Sequence, residues 1–74
     1  MTNVNPKNLF ILRRKQVEQR TGLSRSTIYL YIQEGTFPRP INLGSRSVGW
    51  LENEIDEWLI TRVQKRDHEQ EVRQ

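Results

Sequence analysis

Gly22-Leu23-Ser24-Arg25-Ser26-Thr27-Ile28-Tyr29-Leu30-Tyr31-Ile32-Gln33-Glu34-Gly35 is the stretch that decides how this chain folds. Ser24 makes a good helix N-cap, because its hydroxyl can accept a hydrogen bond from a free amide of the next turn. Ile28 and Ile32 stand four apart and Tyr31 shares their side, so Ser24 to Glu34 reads as an amphipathic helix. Gly35 ends it. Upstream, Arg14 to Arg20 holds good helix formers, with Val17 the clear inward residue. Thr21-Gly22 stops that helix, and Gly22 is placed to take the left-handed conformation after the last turn. Helix, short glycine-containing turn, helix is the helix-turn-helix pattern.

Outward from this core the signals change. Phe10-Ile11-Leu12 is a short apolar run that reads either as a strand or as the lead-in to a helix. Phe37-Pro38-Arg39-Pro40 is not helix interior, because two prolines lack donors and fix φ. Ile41-Asn42-Leu43 alternates as a half-buried strand should, Gly44-Ser45-Arg46-Ser47 is turn chemistry, and Val48-Gly49-Trp50 is a second short strand. Two strands around a tight turn make a wing. A last helix opens at Glu52 or Asn53, with Leu51, Ile55, Trp58, Leu59 and Val63 on one stripe. Its acids come first and Arg62, Lys65 and Arg66 later, the polarity the helix dipole prefers. Beyond Gln64 there is one apolar residue, so that segment reads as a fraying helix end or disordered tail. The expected fold is mainly α with a small β-hairpin wing, a winged helix-turn-helix of three helices and two strands. Residues 1–8 form a flexible arm, 9–64 the domain and 65–74 a polar tail.

The chain has 74 residues and no cysteine. A domain this short buries only ~60–65% of its unfolded surface, so its core is small. No disulfide framework or thiolate metal site can supplement it. His68 stands alone in a polar segment, without a partner for a zinc pair, and no cofactor or metal is implied. Nothing resembles a phosphate-cradling glycine loop or a nucleophile with its base, so the chain does not read as an enzyme. No run approaches the ~18 apolar residues of a membrane span. Met1 to Asn8 lacks the apolar core of a signal peptide. A cytoplasmic protein, associated with the bacterial nucleoid, is expected. Glu52, Glu54, Asp56 and Glu57 read as acids crowding a helix start rather than as a catalytic or metal cluster. Trp50, Trp58 and Phe37 read as core.

Charge is unevenly spread. Residues 1–50 carry eight Lys/Arg against two acids, a net of +6, while residues 51–74 carry four against seven, a net of −3. A basic front section suits a polyanion partner. With Ile28, Tyr31 and Ile32 inward, the second helix turns Arg25, Ser26, Tyr29, Leu30 and Gln33 outward. In helix-turn-helix docking the first turns of the second helix reach base edges. Arg can bind guanine in bidentate fashion, Gln can bind adenine, and Ser26 or Thr27 can bond bases or phosphate. Leu30 suits a thymine methyl or a protein partner. In the wing, Arg46 at the tip, flanked by Ser45 and Ser47, suits a phosphate strand or a narrow minor groove. Arg14 and Lys15, with Arg13, form a basic cluster that phosphate binding would explain.

The series Ser24-Arg25-Ser26-Thr27-Ile28-Tyr29, Glu34-Gly35-Thr36-Phe37-Pro38, Leu43-Gly44, Arg46-Ser47-Val48-Gly49-Trp50 and Glu54-Ile55-Asp56-Glu57-Trp58 resembles the AlpA family of small phage and prophage transcriptional regulators. That family is similar to MerR-type winged helices and to phage excisionases. The resemblance covers about Leu12 to Leu59. It implies a DNA-binding protein that regulates an integrase or other prophage gene, or directs excision. Arg25, Ser26, Thr27 and Tyr29 match its recognition-helix motif and Arg46 its wing. Members often have Arg then Leu after the Ile-Tyr pair, where this chain has Leu30 and Tyr31.

Three functions follow as alternatives. The first is a sequence-specific regulator of prophage or mobile-element transcription. The second is an excisionase that assists an integrase. The third is a protein-binding inhibitor of another regulator, whose DNA affinity would be weak and indifferent to Arg25 and Arg46. The expected partner is double-stranded DNA, with an integrase or RNA polymerase beside it. No long coiled coil is visible, so a monomer in solution, or a multimer assembled on DNA, is expected.

Overall fold

Five of the six regular elements, and one loop, each donate one side chain to a shared centre. The computed structural model describes residues 9–72, and in the last helix side chains as far as Glu69. The expected arm, residues 1–8, lies outside the described residues. The order is β1 (Ile11–Leu12), α1 (Arg14–Thr21), α2 (Arg25–Glu34), β2 (Ile41–Gly44), β3 (Ser47–Leu51) and α3 (Glu52–Val72). Leu12 from β1, Val17 from α1, Ile28 from α2, Phe37 from the following loop, Trp50 from β3 and Ile55 from α3 are buried together. Leu23, Tyr31, Ile32, Val48, Trp58 and Leu59 pack around them. Fully burying one such side chain stabilises by ~1.5–3 kcal/mol, so the elements that supply them depend on one another for their place.

The helix ends follow the local chemistry. Ser24 Oγ accepts from the Thr27 amide at 3.2 Å and opens α2. Gly22 (φ 74°) and Gly35 (φ 81°) close α1 and α2 in the left-handed region, which only glycine enters at little cost. The start of α1 is capped in reverse: Gln16 Oε1 accepts from the Arg13 amide at 2.8 Å. Three helices and a small antiparallel sheet make the winged helix-turn-helix.

The sheet has three strands rather than two, in the order β1-β3-β2. Phe10-Ile11-Leu12 resolves in favour of a strand: Ile11 pairs with Leu51 and Leu12 with Trp50, antiparallel. β3 is therefore central, and Gly49 sits where β1 and β2 close over it. A Cβ there would collide with Ile11 Cγ2 and come within 3.2 Å of the Leu12 carbonyl oxygen. β2 differs from expectation, since all four of its residues are exposed instead of alternating. A bulge between Asn42 and Gly44 breaks the register with β3, and Asn42 Oδ1 accepts from the Gly44 amide at 3.0 Å. Ile41 and Leu43 lie on an edge strand that no other element covers.

α3 also departs in two respects. Leu51 belongs to β3, not to the helix, and Val63 is exposed, so the inward stripe is Ile55, Trp58 and Leu59. The helix continues through the polar segment to Val72 instead of fraying near Gln64. Lys, Arg, Gln and Glu are good helix formers, and neither Gly nor Pro interrupts residues 52–72. Arg20 of α1 reaches Glu52 at 3.0 Å and Asp56 at 3.0 Å, so two acids of the α3 start are engaged in holding α1. No described helix is long and apolar enough to cross a membrane.

Candidate nucleic-acid interface

The site is set by two short connections that hold the wing against the helix pair. The loop between α2 and β2 is pinned by both indoles. Trp50 Nε1 donates to the Pro38 carbonyl at 3.0 Å, and Trp58 Nε1 donates to the Thr36 carbonyl at 2.6 Å. The Trp58 ring meets Phe37 edge-on at 4.9 Å, and the Arg62 guanidinium lies 4.7 Å from its centroid. On the other side, Arg13 Nε donates to the Val48 carbonyl at 3.0 Å and ties the start of α1 to β3. Position and orientation of the wing relative to α2 are thereby determined from both ends.

Between them lies an open groove of about 450 Å³ lined by Arg13, Arg14, Lys15, Arg25, Tyr29, Arg46 and Val48. Five cations from three separate elements line it, and no acid does. Arg14 is partly neutralised by Glu18, 2.7 Å away in the next turn. Among the described residues, Arg13, Lys15, Arg25 and Arg46 form no ion pair. Elsewhere Arg20 pairs with Glu52 and Asp56, Arg66 with Asp67, and Arg62 lies against Tyr31 and Trp58, while Arg39, in the loop between α2 and β2, is exposed and forms no ion pair among the described residues. Four cations without an acidic partner are thus gathered on one face, where a polyanion would release counterions on binding.

Of the residues expected in the site, Arg14, Lys15, Arg25, Tyr29 and Arg46 line this groove. Arg25 starts α2. Tyr29, one turn on, is 38% exposed and rests edge-on against Trp50 with centroids 6.5 Å apart. Core packing thus orients an aromatic ring at the groove wall. Arg46 occupies the two-residue turn with Ser45 and has φ 59°, the left-handed region in a residue with a Cβ. Ser26, Leu30 and Gln33 are exposed on α2 but do not line the groove. Thr27 is half-buried, and its Oγ1 accepts from Ser24 Oγ at 2.9 Å, so its hydroxyl serves the cap. Ser47 is half-buried in β3 and donates to the Ser45 carbonyl at 3.4 Å, within the wing turn. Arg13, expected as part of the basic cluster with Arg14 and Lys15, lines the groove too, and Val48 joins it without having been singled out. The Arg13-Arg14-Lys15 run was visible in the sequence; that it faces α2 and the wing depends on β1 pairing with β3.

A family described as "Prophage CP4-57 regulatory protein (AlpA)" matches residues 10–63 of the chain, which includes every residue of the groove. The "DNA-binding transcriptional activator AlpA" of Escherichia coli (strain K12) is 48% identical over 58 residues, covering 70% of this chain and 83% of that protein. The "Uncharacterized protein ORF88" of Enterobacteria phage P4 is 44% identical over 52 residues, covering 70% of this chain and 59% of that protein.

Proposed function

The chain belongs to the AlpA family of prophage regulatory proteins, and on that premise we propose that it is a double-stranded-DNA-binding regulator of transcription from a prophage or other mobile element. The first turns of α2 enter the major groove, bringing Arg25 and Ser26 to base edges. Arg13, Arg14 and Lys15 at the start of α1 follow one phosphate strand, and Arg46 at the wing tip reaches the adjoining backbone or minor groove. Tyr29 lies between the two and contacts sugar or phosphate. RNA polymerase is the partner that such a regulator would meet at a promoter.

The observation that carries this reading is the convergence of Arg13, Lys15, Arg25 and Arg46 on one groove without acidic partners. The name of the Escherichia coli relative, a DNA-binding transcriptional activator, supports the same reading. Footprinting on the DNA around the gene's own locus tests it, and protection is expected over a promoter. Anisotropy on the protected duplex then tests the residues. Arg25→Ala should cost ~1–3 kcal/mol of binding and relax preference at one base pair. Equal loss on protected and random DNA would make Arg25 a phosphate contact. DNA binding that is weak and unaffected by Arg25→Ala and Arg46→Ala would overturn the proposal.

A further inference from the structure

Two outward rows run along α2. Arg25 and Tyr29, four residues apart, face the basic groove. Ser26, Leu30 and Gln33, spaced i, i+4 and i+7, form the second row, and all three are exposed. Leu30 is 49% exposed and belongs neither to the core nor to the side chains packed around it. It is the one aliphatic residue among the exposed positions of α2.

We propose that Leu30 is a specificity-determining residue that packs against the 5-methyl group of a thymine, with Gln33 on the adenine of the same or the adjoining base pair. The inference rests on α2 being the helix that enters the major groove. In that groove the thymine methyl is the apolar feature that distinguishes one base pair from another. A lone aliphatic side chain between a serine and a glutamine matches a single methyl in size. A protein partner would instead call for a cluster of apolar anchors at the centre of a patch, and the neighbours of Leu30 in its row are polar. Leu30 and Gln33 lie ~4.5 Å apart along the helix axis. That is little more than one base-pair step of ~3.4 Å. The Gln33 amide can donate to N7 and accept from N6 of adenine in bidentate fashion. Both contacts therefore fall on A·T pairs under the second row, beside whatever base Arg25 reads.

The test uses the full chain and a random library of DNA duplexes. The best selected duplex is resynthesised with each thymine replaced, one at a time, by deoxyuridine, which removes only the methyl. Affinities are measured by fluorescence anisotropy. One replacement should weaken the wild-type protein about three- to fivefold, the effect of one lost buried methyl. Leu30→Ala should bind the thymine and deoxyuridine duplexes equally, while Leu30→Met, which keeps an apolar reach, should retain the difference. The proposal is overturned if no replacement changes wild-type affinity, if the selected site has no thymine, or if Leu30→Ala stays as sensitive as wild type. Failure to enrich any duplex would overturn the DNA reading itself, and this inference with it.

Discussion

Arg46 is the residue at which the proposed function would set binding against stability. Its φ of 59° places a side chain with a Cβ in the left-handed region, at the tip of the wing. Such a conformation costs of order 1–3 kcal/mol and persists where something else retains the residue. Under the proposed function, a charge held out toward DNA is the reason to keep it. Arg46→Gly removes both the strain and the charge. Glycine forfeits some of the gain through the entropy of the unfolded chain, so the fold should become more stable by ~0.5–1 kcal/mol. Affinity for DNA should fall in the same variant. Thermal unfolding and anisotropy on one preparation read both signs; a variant that loses stability, or keeps full affinity, would remove Arg46 from this role. The sequence placed Arg46 at the tip through the turn chemistry of residues 44–47. It did not reveal the left-handed backbone, because Gly44 stood two residues away as the more obvious holder of an unusual φ.

At the scale of elements, what could be read in advance was what local chemistry dictates. Ser24, Gly22 and Gly35 mark the helix ends, and Ile28 with Ile32 marks the inward side of α2; the structure keeps all of these. What could not be read was non-local. A two-residue strand such as β1 has no period of its own, and its pairing with Leu51 and Trp50 spans nearly forty residues. β2 looked half-buried because Ile41 and Leu43 alternate with Asn42, yet an edge strand with nothing packed on it buries neither face. Trp50 and Trp58 were legible as core, but not their second use as donors to the loop between α2 and β2. That use makes a prediction. Trp58→Phe keeps a ring against Phe37 and loses the N–H that donates to the Thr36 carbonyl at 2.6 Å. The lost hydrogen bond, together with the smaller ring, should cost ~1–2 kcal/mol. The effect should concentrate in the wing, with faster amide hydrogen exchange across Ile41–Leu51 than across α1. Uniform acceleration over both would mean that the indole supports the whole core and not the wing's position.

At the scale of the whole molecule, the charge asymmetry was plain in the sequence, while which of its cations stay unpaired was not. A net of +6 in residues 1–50 suits a polyanion partner, but it includes Arg20, which the structure neutralises with Glu52 and Asp56. Only tertiary packing separates the cations that are spent on the fold from those left for a ligand. With about four phosphate contacts from Arg13, Arg14, Lys15 and Arg46, and Arg25 on a base, log affinity should fall with log salt at a slope near −3.6. The distal half of α3 supplies the control. Residues 65–74 carry three Lys/Arg and three Asp/Glu, so ending the chain at Gln64 leaves the net charge unchanged. The described side chains of that stretch are exposed, and none lines the groove. The shortened chain should therefore keep both its fold and its slope. A slope shallower by about two would bring Lys65 and Arg66 onto the DNA and extend the binding face along α3. A flat salt response in the full chain would deny that the groove meets phosphate at all, whatever its shape.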